Sequence, residues 1–148
     1  MKRHWDFFKD SDASFGLFYP LHYTMAAFEV DTHAERARQH FLDAGFAQDD
    51  VAVATGSFVT EQLESMDDAG WFDRLRAQLA DLVGTETGYL QDDRKHAQRG
   101  GAFLFAYTPD QERIDRAHAL LERLHPIYAR RYHYAGIERI RYPAQSKL

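Results

Sequence analysis

The chain has 148 residues, 45% of them hydrophobic, a size and apolar content that support one core-forming domain and leave no room for two full ones. Its 18 Lys and Arg against 23 Asp and Glu give a net charge of -5, so a dedicated nucleic-acid binder is not expected. With no Cys, disulfide frameworks, thiolate metal sites and cysteine nucleophiles are excluded.

Residues 1–21 read as an aromatic arm. Trp5, Phe7, Phe8, Phe15, Phe18 and Tyr19 are too apolar to be left in water, so the arm is expected to pack, on its own domain or on a second subunit. Asp6, Lys9, Asp10 and Asp12 stand where a secretory signal carries its apolar stretch, and no later run reaches membrane-spanning length. The expected setting is cytoplasmic, with no membrane partner.

Four short segments then read as strands within a single domain over 22–142, ahead of a tail at 143–148: His22 to Val30, Val51 to Thr55, Ala102 to Tyr107 and Tyr128 to Tyr134. The third has no polar break and suits the middle of a sheet. The fourth carries Arg130 and Arg131 and suits an edge, where charge discourages strand addition. After the first strand, Thr32 and Glu35 form a capping box for a helix with the stripe Ala34, Ala37, Phe41 and Ala44. After the third, Thr108, Pro109 and Gln111 repeat that signal, Glu112 and Arg116 form an i,i+4 pair, and Ile114, Ala117, Leu121 and Leu124 form the stripe.

Two strand-helix-strand units of nearly equal length result. The expected fold is α+β, a ferredoxin-like two-βαβ sandwich with the first and third strands in the middle. Between the second and third strands, where a hairpin would serve, residues 57–99 read as a helical insertion: a stripe from Trp71 to Val83, then a helix from Thr85 to Gln98 ended by Gly100 and Gly101.

Three stretches resemble the bacterial general-stress or heat-induced stress family typified by the YflT domain. They are the Ala-rich helix ending Asp43-Ala44-Gly45-Phe46 and running through Asp49-Asp50-Val51-Ala52-Val53, the Trp71-Phe72-Asp73-Arg74-Leu75 helix, and Tyr89 to Gly101 leading into the apolar strand. The likeness spans Tyr23 to Tyr107 and extends less specifically to Ile140. It implies a role in stress physiology without a defined activity, and it supplies no catalytic residues.

The residues themselves offer little chemistry. His33 and His40, like His118 and His125, are seven apart, which sets each pair two turns, about 10 Å, from one another and too far apart to share a metal. His118 and His125 are read as half-buried packing residues bonded to backbone or carboxylate. The acid pairs Asp49-Asp50, Asp67-Asp68 and Asp92-Asp93 are read as caps for helix N–H groups rather than catalytic dyads. No phosphate-loop, nucleophile-elbow or dinucleotide motif occurs, and no cofactor is expected. Arg99 to Ala106 resembles an RNA-recognition strand, but only Phe103 matches a stacking position, with Gly101 and Ala106 where aromatics belong.

Charge is divided along the chain. Asp43 to Asp93 holds 12 acids and two bases, and Arg113 to Leu148 holds eight bases and three acids. In the basic end Arg130, Arg131, Tyr132, His133, Arg139 and Arg141 are the candidate binders of a small anionic ligand; internal pairing and contact with the acidic insertion of a second subunit are the competing readings. The expected function is a self-associating, stress-related binding domain. A dimeric α/β-barrel ligand binder or enzyme and an RNA-binding domain are the alternatives.

Overall fold

A computed structural model describes residues 21–57, 92–133 and 136–142. The architecture is α+β: five antiparallel strands in one sheet, with α-helical residues at 31–43, 56–57, 92–98 and 111–124 and a 3-10 turn among the described residues. In chain order the main elements are β1 (Tyr23–Phe28), α1 (Asp31–Asp43), the turn Gln48–Asp50, β2 (Val51–Ala54), α2 (residues 92–98), β3 (Ala102–Tyr107), α3 (Gln111–Leu124), β4 (Tyr128–His133) and β5 (Gly136–Arg141). The sheet order is β2-β3-β1-β4-β5.

β1 is buried at every residue and pairs with β3 on one side, Tyr23 opposite Tyr107 and Phe28 opposite Ala102, and with β4 on the other. Such two-sided burial needs apolar residues in both alternation sets, which β1 and β3 supply. One face takes α1 and α3 over a core that includes Ala26, Phe28, Leu104, Ala106 and Ala129, against Ala34, Ala37, Phe41, Ala117 and Leu121. The small alanines let the helices approach closely. By the alternation of a strand, Tyr23, Met25, Phe103, Phe105, Tyr128, Arg130 and Tyr132 belong to the opposite face, and all are buried.

Both α1 and α2 end on a glycine in the left-handed region, Gly45 at φ 102 and Gly100 at φ 88. At each, two backbone bonds close the last turn: Phe46 N–H to Phe41 O with Gly45 N–H to Leu42 O, and Gly101 N–H to His96 O with Gly100 N–H to Ala97 O. The rings of Phe41 and Phe46 meet at 5.1 Å and seal the first of these ends.

The starts of the helices correct the capping reading. α1 follows Val30, with no side-chain cap, and Thr32 lies inside its first turn. α3 is capped by Asp110, whose carboxylate accepts from Arg113 N–H at 2.9 Å. Thr108 is buried instead, 2.8 Å from the Thr24 hydroxyl and donating to His22 O. The fourth strand is also not an edge: β5 pairs along it, Arg131 opposite Glu138 and Tyr132 opposite Ile137, and β5 is the outer strand. Its arginines are compatible with the interior because each has acceptors there. The aromatic arm up to residue 20, the Trp71 to Val83 stripe and the 143–148 tail lie outside the described residues.

Candidate functional site

The chemistry gathers on the face of the sheet away from α1 and α3. Asp92, His96 and Arg99 are spaced four and three apart, so α2 and its closing turn present them on one side. His96 is fixed from three directions. Its Nε2–H donates to the β1 carbonyl of Phe28 at 2.7 Å, and its ring stands edge-on to Phe103 of β3 and Tyr128 of β4. That ring lies directly over Gly101, where a Cβ would come within 2.2 to 2.4 Å of three ring atoms, so the position accepts only glycine without displacing the imidazole.

Beneath it lies a buried ionic cluster. Arg130, with no exposed surface, donates to Asp93, to the Tyr132 hydroxyl at 2.9 Å and to the Tyr142 hydroxyl at 3.1 Å. Tyr128 donates its hydroxyl proton to the other Asp93 oxygen at 2.6 Å, and Tyr142 donates to Asp92 at 2.8 Å. The guanidinium also stands 5.4 Å from the Tyr128 ring centroid and 5.6 Å from that of Tyr132. A buried charge is tolerated when its partner and remaining donors are satisfied, and this arrangement meets that condition. The reading of Asp92 and Asp93 as helix caps is therefore corrected: both carboxylates accept from side chains of the β4–β5 end.

The environment sets the protonation states. Burial pushes the His96 imidazole below its ordinary value, against its bond to the Phe28 carbonyl and the attraction of Asp93, so the ring is neutral at neutral pH. Burial raises the Asp93 carboxyl, with the Arg130 charge and the hydrogen bonds from Tyr128 and Arg130 pulling the other way. Burial opposes the charge on Arg130, but Asp93 and the surrounding tyrosines outweigh it and hold the guanidinium protonated. Burial raises the Tyr128 and Tyr142 phenols, which remain proton donors.

Above the cluster a cleft of about 450 Å³ opens between α2 and the strand ends, lined by Glu29, Asp92, His96, Arg99, Gly101, Ile127 and Tyr128. Two carboxylates, a guanidinium, a neutral imidazole and a phenol thus border one space. Such a set can orient a small polar molecule through complementary donors and acceptors.

The six arginine-tyrosine candidates do not form one site. Strand alternation sends Arg130 and Tyr132 into the buried cluster and turns Arg131 the other way, where it donates to Thr108 O at 2.9 Å. His133 is half-buried, and Arg139 and Arg141 are exposed on β5, Arg139 standing 5.0 Å from the Tyr142 ring centroid. Phe103, weighed as an RNA-stacking residue, is 1% exposed and packed on His96, which leaves no open face for a base. His125 is exposed at the end of α3, whereas His118 is half-buried with its Nε2 buried and lacking a hydrogen-bond partner among the described residues. Among the described residues no three His, Asp or Glu side chains gather closely enough to hold a metal ion, and no helix is long and apolar enough to cross a membrane.

Glu29 and His96 are the site residues that the sequence reading does not single out, while Asp92 is read there as a helix cap and Arg99 only as the start of an RNA-recognition-like strand. The signal joining Asp92, His96 and Arg99 is their spacing just before the helix-ending glycines. Compared with known proteins, the chain matches no family model, no curated protein and no solved structure.

Proposed function

We propose that this chain is a ferredoxin-like domain that acts by binding a small polar molecule in the α2 cleft. The fold reading is supported by connectivity: α1 links β1 to β2, α3 links β3 to β4, and the order β2-β3-β1-β4 sets the first and third strands side by side, with β5 as an addition. The observation that carries the binding reading is the meeting of Glu29, Asp92, His96 and Arg99 around one cleft, on a floor whose own polar groups are already paired. The bonds from Tyr142 to Asp92 and from His96 to the Phe28 carbonyl hold these two walls in place, so the cleft need not reorganise to meet a ligand. A self-associating role in stress physiology is proposed with it, on the likeness over Tyr23 to Tyr107 and on the division of charge between the acidic and basic parts of the chain.

Native mass spectrometry of the purified protein, compared with its denatured mass, tests the reading, together with a thermal-shift screen of small polar metabolites. The expected result is a retained or added small molecule whose binding weakens by about tenfold, or ~1.4 kcal/mol, in both His96→Gln and Arg99→Ala. Glutamine preserves a donor for the Phe28 carbonyl but not the ring packing, so agreement with the variant at exposed Arg99 is what ties the loss to the cleft. A folded protein that binds nothing, or a ligand indifferent to both substitutions, sinks the reading; the same spectrum gives the number of subunits.

A further inference from the structure

A second cavity, of about 440 Å³, lies between the first two turns of α1 and the last turn of α3. His33, Arg36, Arg123 and His125 line it, and Glu29 and Ile127 belong to the walls of both this cavity and the α2 cleft. The two spaces therefore adjoin across the end of β1. We infer that this second cavity is an oxyanion site, and that the molecule bound in the α2 cleft is a hydroxyl-bearing phosphate monoester whose phosphate sits between Arg36 and Arg123. The inference rests on the proposed reading of the α2 cleft.

The arginines of α1 and α3 fall into two groups. Arg38 donates to Val51 O, Arg113 pairs with Asp110 and Arg116 pairs with Glu112. Among the described residues Arg36 and Arg123 are the two of these arginines with neither an ion pair nor a side-chain hydrogen bond, and both line this cavity. Their sequence neighbours explain why: three and four residues away along the helices stand Thr32, His33, Gln39 and His40 for Arg36, and Ala119 and Leu120 for Arg123, none of them acidic.

The helix dipole accounts for one of these positions and not the other. Arg123 lies at the negative end of α3, where a cation is favoured. His33 lies in the first turn of α1, at the positive end, where a cation is disfavoured and an anion is attracted, and Arg36 follows in the second turn, where the dipole does not favour it. Val30 offers that helix start no side-chain cap. Two guanidinium forks match the oxygens of a phosphate, and the two imidazoles add ring N–H donors. Among the described residues Glu29 is the acid in the cavity wall, and it stands where the ligand crosses into the cleft. The crossing part is therefore a hydrogen-bond donor, as a hydroxyl-bearing carbon chain is.

The test is an amide NMR titration of the intact protein with inorganic phosphate, glycerol 3-phosphate and acetate at constant ionic strength. Inorganic phosphate is expected to shift the resonances of His33, Arg36, Arg123 and His125 saturably, and glycerol 3-phosphate to shift these together with His96 and Arg99. Arg36→Gln combined with Arg123→Gln is expected to weaken phosphate binding by at least about tenfold, and Arg36→Lys, which keeps the charge without the fork, by less. Both arginines are exposed, so the fold is expected to survive, with a thermal midpoint close to that of the parent protein. No response to phosphate at this cavity, equal binding by the double variant, or acetate acting as strongly as phosphate overturns the inference. If a cleft ligand persists in the double variant and phosphate does nothing, the anion site falls and the cleft reading stands. If phosphate saturates the arginine cavity but glycerol 3-phosphate leaves His96 and Arg99 unmoved, the phosphate-monoester assignment falls and a separate oxyanion site remains, while the cleft reading stands or falls on the mass-spectrometric and thermal-shift screen.

Discussion

Arg130 is held inside the sheet by groups from α2, β4 and the end of β5. Its value to the fold is conditional, because a buried ion pair is costly to form and far more costly to break by halves. Arg130→Met keeps the volume but leaves Asp93 with the Tyr128 hydroxyl as its named donor, and an expected loss of about 3–5 kcal/mol follows. Adding Asp93→Asn to that variant removes the stranded charge, so the double variant is expected to be more stable than the sum of the two single losses. Urea unfolding of the four proteins measures this coupling, and strictly additive losses would contradict it. The same residue shows what was readable at this scale. The interleaved arginines and tyrosines of the C-terminal end mark a polar cluster, but alternation splits them between two faces. The acid that completes the cluster is 37 positions away from Arg130, beyond the reach of any local pattern.

At the scale of elements, the legible features were those with one physical cause. The unbroken apolar run Ala102–Tyr107 is β3 to the residue, and Gly45 and Gly100 end their helices because only glycine enters the left-handed region without penalty. Helix starts were ambiguous because more than one residue offered an oxygen. Thr108 and Asp110 both precede α3, and tertiary structure decides between them by burying Thr108 against Thr24. β5 escaped because Gly136–Arg141 is mostly polar on an outer strand, where β4 rather than its own composition holds it. The cap now assigned makes a prediction: Asp110→Ala is expected to cost about 1 kcal/mol, and Thr108→Ser, which keeps the buried hydroxyl, less than that. Thermal unfolding of the two variants checks the order. A larger loss from the serine would return the capping role to Thr108.

For the whole molecule, His96 is where protonation and global stability meet, since one imidazole touches β1, β3 and β4 from α2. In the unfolded chain it titrates near its ordinary 6.5, and in the folded chain burial holds it lower. The folded state therefore binds that proton more weakly. Stability from this group is fully present above 6.5 and is lost as the pH falls through 6.5 toward the folded value. Asp93 has the opposite sign. Its carboxyl is raised above 3.8 in the fold, so its contribution is fully present below 3.8 and is lost as the pH rises from there to the folded value. On the descent from neutral to mildly acid conditions the His96 contribution falls, whereas that of Asp93 is regained in both the parent protein and a His96 variant, so the difference between the two proteins isolates the imidazole. The urea midpoint of the parent protein is thus expected to drop between about pH 7.5 and about pH 5.5, while His96→Gln, lower throughout for its altered packing, changes less over the same interval. The gap between the two curves narrows toward acid. Parallel curves would mean that the imidazole titrates alike in both states, and that α2 does not hold it against the sheet in the way its contacts describe.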